Sequence, residues 1–182
     1  MPVSLQQFDN KSYHPGSWIK RCIWHYTNGF FFKSGLFPFY KLKTFLLRLF
    51  GAKVGKGVLI KPGVNIKYPW FLEIGDHVWI GENAWIDNLA KVTIGNNVCI
   101  SQGAYLLTGN HDYSKPRFDL MIKEIILEEG VWIGARSVVC PGVTCKSQAI
   151  LAVGSIATND LDENGIYQGN PAVKVKERVI SW

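Results

Sequence analysis

The chain is short of charge and of the residues that build metal or disulfide sites. Of its 182 residues 19% are charged, four are histidine and four are cysteine. No apolar run approaches the roughly 18 residues that an ordinary transmembrane helix needs. Residues 1–10 lack the basic start and apolar stretch of a signal peptide, so a cytoplasmic protein is expected. Cys22, Cys99, Cys140 and Cys145 form no Cys-x-x-Cys pair and have no histidine cluster nearby. Structural zinc is therefore not expected, and the thiols read as reduced, mostly buried side chains. Lysine and arginine form no dense block. Their excess of 20 over 14 acidic residues allows an anionic ligand without calling for nucleic acid. A hydrophobic fraction of 47% excludes disorder, and the length suits one domain with a real core.

What the chain does have is a period of six. An aliphatic residue recurs at Val54, Ile60, Ile66 and Leu72, then two residues later at Ile74, Ile80, Ile86 and Val92, then again at Ile94, Ile100 and Leu106. After an interruption it resumes at Leu127, Ile133, Val139, Cys145, Leu151 and Ala157. Four residues after each aliphatic stands mostly a small or β-branched side chain, such as Val58, Val64, Ala84, Val98 or Ser137. Six is neither a helical period nor a strand alternation. It fits a short strand plus a tight turn, with two inward positions per hexad and Gly or Asn supplying the turn. Three hexads make one triangular coil of a parallel β-helix, and the extra two residues predict a bulge at one corner of each early coil. About five coils at strand spacing give a prism roughly 24 Å tall, whose ends need caps. The fold class is an all-β solenoid.

The boundaries follow: an aromatic, helical arm and cap over 1–53, the β-helix over 54–162 with an excursion loop at 109–126, and a tail over 163–182. In the arm, Phe39, Leu42, Phe45, Leu46, Leu49 and Phe50 have helical spacing, and Gly51 is a plausible stop. This segment reads as a cap over the open lower coil. A sharper reading makes residues 1–50 a foot on a membrane surface, with Lys41, Lys43 and Arg48 facing headgroups and the protein peripheral at the inner membrane face. The excursion contains Asn-His-Asp-Tyr-Ser-Lys-Pro, and long loops in a rigid repeat are usually functional. His111 stands at its root. An imidazole fixed there can take a proton from a hydroxyl near neutral pH, or serve only as a hydrogen-bonded turn residue.

The hexads, the loop Thr108-Gly109-Asn110-His111-Asp112, the turn Trp132-Ile133-Gly134-Ala135 and the tail Gly169-Asn170-Pro171-Ala172 resemble the β-helix acetyltransferases of the maltose, galactoside and nodulation-factor type. With Leu49-Phe50-Gly51-Ala52-Lys53-Val54-Gly55 and Trp85-Ile86-Asp87-Asn88-Leu89-Ala90, the likeness is greatest to the colanic-acid-biosynthesis (WcaF-like) acetyltransferases and covers nearly the whole chain. Left-handed coiling is implied by this resemblance alone, because parallel crossovers are otherwise nearly always right-handed. The resemblance further implies a homotrimer with sites between neighbouring prisms, acetyl-CoA as donor, a sugar hydroxyl of an exopolysaccharide, capsule or lipid-linked glycan as acceptor, and no metal. His111 becomes the general base and the backbone N–H of Ala135 the oxyanion donor. Trp132, Gly134, Ala135, Ala152, Val153, Gly154 and Thr158 line the thioester arm, and Lys174, Lys176 and Arg178 meet the phosphates. The family often has a cation directly after Pro-Ala, where this chain has Val173. Asp87 and Asn88, one coil below His111, hydrogen-bond the acceptor, orient His111, or form an Asx turn. Asn110 and Asp112 contact the acceptor or hold the loop. Two other functions suit the same repeat: a noncatalytic scaffold, and a γ-type carbonic anhydrase. The latter needs three convergent histidines, and only His77 and His111 fall on the prism.

Overall fold

The structure, a computed structural model describing residues 2–181, is a parallel β-helix with three faces. The first face stacks Lys53–Val54, Leu72–Ile74, Val92–Ile94, Ile125–Leu127 and Thr144–Cys145. The second stacks Leu59–Ile60, Trp79–Ile80, Cys99–Ile100, Trp132–Ile133, Ile150–Leu151 and Gly165–Gly169, the last closed by the antiparallel strand Ala172–Glu177. The third stacks Asn65–Ile66, Trp85–Asp87, Tyr105–Leu107, Val138–Val139 and Ile156–Ala157.

Register carries the six-residue period. Ile60, Ile80, Ile100, Ile133 and Leu151 lie one above another, as do Ile66, Ile86, Leu106, Val139 and Ala157, and all are buried. Each such side chain withdrawn from water contributes about 1.5–3 kcal/mol, so a single column outweighs any surface ion pair. Between the second and third faces the chain turns in four residues, the third with positive φ: Gly63, Asn83, Gly103, Arg136 and Gly154.

The corner between the third and first faces is different, and it positions the site. It bulges as a 3-10 turn at Pro69–Phe71, again at 88–91, and then as a hairpin pairing Gly109–His111 with Leu120–Ile122. The extra two residues per coil and the excursion therefore share one edge of the prism. Thr108, fully buried, roots the hairpin: its hydroxyl donates to Asp87 O at 2.8 Å and accepts from Ala90 N at 3.1 Å.

Helix α1 (Trp18–Thr27), a π turn at Asn28–Lys33 and helix α2 (Tyr40–Leu49) cover the lower coil. Ser17 caps α1 by accepting from Lys20 N, and Gly51 at φ 101° stops α2. Trp24, Phe32 and Leu47 join the core, and Trp24 Nε1 donates to Ile66 O at 2.8 Å. Two of the three cations expected at a lipid surface are spent on the chain's own carbonyls. Lys43 is 0% exposed and donates to Lys61 O at 3.0 Å, and Arg48 donates to the carbonyls of Val54 and Gly55. A coil end leaves carbonyls without a next strand, and these two side chains satisfy them. The arm before α1 does more than cap: it climbs the bulged edge, with Ser4 N on Pro116 O at 2.9 Å and Tyr13 OH on Leu89 O at 2.8 Å. Among the described residues no helix is long and apolar enough to cross a membrane.

Candidate active site

His111 sits half-buried in the hairpin strand, opposite Leu120. Its Nδ1 lies 2.8 Å from the carbonyl oxygen of Phe118. A carbonyl only accepts, so Nδ1 carries the hydrogen and the neutral ring keeps its lone pair on Nε2. The imidazole is sandwiched flat on the Phe118 ring, centroids 4.4 Å apart at 6°, with Phe8 edge-on at 5.5 Å. Position and tautomer are thus fixed by an aromatic clamp and one backbone bond.

His111 lines a groove of about 490 Å³ with Phe8, Tyr13, Arg21, Tyr68, Leu89 and Leu120 among its walls. Arg21, Lys67 and Tyr68 are shared with a neighbouring cavity of about 610 Å³ between α1 and the third face, which also holds Trp85. None of the arm residues in this wall was singled out by the sequence. The abundance of aromatics before residue 50 was the one available signal, and it does not say which of them reach residue 111. Burial and the nearby charges of Tyr68 and Asp87 raise the pKa of the Tyr13 phenol, keeping it protonated as the donor to Leu89 O.

The four acceptor-side candidates prove to be heavily engaged. Asn88 is 0% exposed; its amide donates to Tyr68 O at 2.6 Å and accepts from Tyr68 N at 3.0 Å. Both ends are spent on the coil below, so Asn88 clamps two bulges together, and it does not line the groove. Asp87 is ion-paired to Lys67 at 2.9 Å and accepts from Tyr105 OH at 3.2 Å, and it does not line the groove. Burial first, and then the Asp87 charge, push the Tyr105 phenol up to about 12. Asp112 accepts from Ser114 N and Oγ and pairs with Lys115, holding the hairpin tip. Hydrogen bonds from Ser114 hold its carboxyl below the usual range. Asn110 Oδ1 accepts from His111 N at 2.8 Å, which braces the strand carrying the base.

The donor-side candidates gather on another edge. Trp132 points outward from the second face and its Nε1 donates to Ser101 Oγ at 2.9 Å. Gly134 and Ala135 follow at the corner between the second and third faces, directly below Ala152, Val153 and Gly154. A Cβ on Gly134 would stand 2.6 Å from Val153 N and 2.7 Å from Leu151 O, so only glycine lets these coils close. Ala135 O accepts from Gly154 N at 2.9 Å, while the Ala135 N–H meets no acceptor among the described residues. Ala152 N is spent on Tyr167 O at 2.8 Å. Thr158 lies past the third face, on the edge that carries His111. In the tail, Lys176 is in register with Ile166, which stacks on Ile150 and Trp132. Lys174 is paired to Glu177 at 2.8 Å. Arg178 does not join the expected phosphate cluster. Its guanidinium donates to Gly130 O at 2.9 Å and Gln148 O at 3.2 Å, at the corner between the first and second faces. Two stacked coil ends offer free carbonyls there, and the planar donor fork satisfies both.

The third face therefore separates His111 from Ala135 within one chain. Among the described residues no group of three or more His, Cys, Asp or Glu is placed to hold a metal ion. No protein-family model matches the chain. Among solved structures, a hexapeptide-repeat-containing acetyltransferase from Vibrio cholerae superposes with a TM-score of 0.73 at 25% identity, covering 79% of this chain and 83% of that one. The fold is shared with a galactoside acetyltransferase in complex with coenzyme A, at a TM-score of 0.77 and 24% identity, over 87% of this chain and 80% of that one. The chain belongs to the hexapeptide-repeat acetyltransferases. Within them it is 38% identical, over 93% of both chains, to WcaF of Escherichia coli strain K12, a protein named for acetyl transfer in colanic acid biosynthesis.

Proposed function

We propose that the protein transfers acetyl from acetyl-CoA to a sugar hydroxyl in exopolysaccharide, capsule or related glycan assembly, with His111 as general base and a homotrimer as the working unit. The observation that carries this reading is the Phe118 carbonyl on His111 Nδ1, which leaves Nε2 as the basic nitrogen of a ring that lines an open groove. Relatives support the donor and the acceptor class: a Vibrio cholerae structure is described in complex with acetyl coenzyme A, and the colanic acid relative is named for polysaccharide synthesis.

In this mechanism Nε2 takes the hydroxyl proton as the sugar oxygen bonds to the thioester carbonyl carbon. The carbonyl electrons move onto oxygen, and the unpaired N–H of Ala135 from a neighbouring subunit meets that oxyanion. Collapse breaks the carbon–sulfur bond, and the departing thiolate takes the proton back from the imidazolium. The flat Phe118 ring and Phe8 keep the imidazole from turning between the two proton transfers. The pantetheine arm runs along the edge of Trp132, Gly134, Val153 and Gly154. Lys176, above Trp132 in register and without an ion pair among the described residues, is the tail cation best placed for a phosphate.

His111→Ala should lower thiol release from acetyl-CoA by at least about a hundredfold while leaving the oligomer mass unchanged. The assay is run on wild type and variant against a panel of sugars and nucleotide sugars. Full turnover in the variant would remove His111 from the reaction.

A further inference from the structure

Helix α2 buries Leu47 but also turns polar side chains inward and large apolar ones outward. Lys43 and Thr44 are buried, whereas Phe45 is 59% and Leu49 66% exposed. A helix whose outer face met only solvent would carry the reverse pattern. The elements before it also expose apolar side chains: Ile19, Ile23 and Tyr26 on α1 and Phe30 on the π turn. Among the described residues, half of the exposed large hydrophobic side chains fall before residue 50. Surface apolar residues scattered singly need no explanation, but so many of them within 50 residues do.

Charge says what covers it. Residues 1–50 hold seven lysines and arginines against one aspartate, a net charge of +6. The other 132 residues balance thirteen against thirteen, so the whole net charge of the protein resides in the arm and cap. Of these cations, Lys43 and Arg48 serve the coil end, Lys20 lies over the Trp70 ring and Lys11 pairs with Asp9. Arg21, Lys33 and Lys41 are exposed and make no ion pair or side-chain hydrogen bond among the described residues. A second copy paired face to face here would set Arg21, Lys33 and Lys41 against themselves, and the remaining 132 residues carry no net negative charge to receive them. An anionic bilayer supplies both the apolar depth and the opposite sign.

We propose that the outer face of α1, the π turn and α2 lies on the surface of an anionic phospholipid bilayer, with Phe30, Phe45 and Leu49 in the interface and Lys33 and Lys41 among the headgroups. Two of the three cations assigned to this role by sequence are replaced, since Lys43 is buried and Arg48, though exposed, is held by the Val54 and Gly55 carbonyls. The same surface adjoins the cavity shared by Arg21, Lys67 and Tyr68, so a protein held this way opens its groove beside the bilayer.

The test is cosedimentation of the full-length protein with vesicles of phosphatidylcholine alone or mixed 7:3 with phosphatidylglycerol, a composition chosen to add negative charge only. The protein should pellet with the mixed vesicles, stay in solution with the neutral ones, and be released as salt rises to about 0.5 M. Lys33→Gln with Lys41→Gln should weaken partition by roughly thirtyfold, and Phe45→Ser with Leu49→Ser should abolish it, each with an unchanged circular dichroism spectrum and urea midpoint. Failure to bind the mixed vesicles overturns the proposal, as does equal binding to both kinds. If the Phe45/Leu49 variant instead falls apart to a smaller oligomer by light scattering, the face belongs to a second copy and the bilayer is wrong. None of these readouts depends on acetyl transfer, so the proposal and the enzymatic reading fail separately.

Discussion

Replacing Asn88 by alanine separates a clamp from a ligand contact. The wild-type amide gives one hydrogen bond to Tyr68 O and takes one from Tyr68 N, and the side chain is fully buried. Alanine leaves a donor and an acceptor of the lower bulge unpaired, at about 1–3 kcal/mol each when water cannot replace the partner. Tyr68 is only partly buried, so the lower half applies and the loss should be about 3 kcal/mol in total. For a chain of this size that lowers the melting temperature by roughly 6–12 °C. Asn88→Asp tests the same geometry by sign. Its carboxylate still accepts from Tyr68 N but faces Tyr68 O and adjoins Asp87, so the protonated form is favoured in the folded state. The deficit against wild type should therefore shrink as pH falls from 7 towards 5. Scanning fluorimetry and urea titration measure both. A melting temperature within about 1 °C of wild type for the alanine variant, with a raised KM for the sugar, would refute the clamp and return Asn88 to the acceptor site.

Thiol chemistry gives a second check. Burial first, and then the Asp160 charge, push the Cys145 thiol up to about 12, burial raises Cys99 and Cys140, and Cys22 is exposed. Brief iodoacetamide treatment should therefore add one adduct, at Cys22, with transfer activity retained; inactivation on labelling would point to a cysteine nucleophile. Glu73 lies 2.8 Å from Lys53 and 3.1 Å from Lys91, whose hydrogen bonds hold its carboxyl below the unfolded value of 4.5. Its contribution is present above that value and lost as pH falls through the lower native one, so Glu73→Gln should reduce the urea midpoint at pH 7 and make no difference once the wild-type carboxyl is protonated.

The prism was legible because every coil must bury the same two positions per hexad, and Ile60 to Leu151 report that demand six residues apart. The bulged corner was legible for the same reason: two extra residues cannot be hidden in a stacked register. The helix over Phe39 to Phe50 was legible as a helix, but its spacing does not say which face is inside. The coil end decided that, because its carbonyls take Lys43 rather than Phe45. Contacts between distant segments left no period to read, so the reach of Phe8 and Tyr13 to the His111 groove was invisible. Asn88 was open between a substrate contact and an Asx turn, and neither reading anticipates a clamp to Tyr68 one coil away. Arg178 looked like a phosphate ligand because carbonyls at a coil corner have no sequence signature.

Separation of His111 and Ala135 by one face of the prism has a consequence for assembly. If a site takes its base from one subunit and its oxyanion donor from the next, two dead proteins should make a live one. Ala135→Pro deletes the donor N–H with little cost to the fold. Residue 135 is the second of a four-residue turn whose third residue, Arg136, has φ 56°, a position that favours proline. The chain already places Pro62 at the matching corner three coils below, before Gly63 at φ 78°. Alone, this variant should lose about a hundredfold or more in turnover, as should His111→Ala. Mixed in equal amounts and allowed to exchange subunits, they should recover about a quarter of wild-type activity, because random closure of a ring pairs an intact base with an intact donor at one interface in about four. Thiol release measured before and after exchange gives the answer. Activity that stays at the mean of the two single variants, with exchange proved by mass, would mean that both groups act from one chain, and the wall between them would have to be breached by a rearrangement of the corner at Ala135.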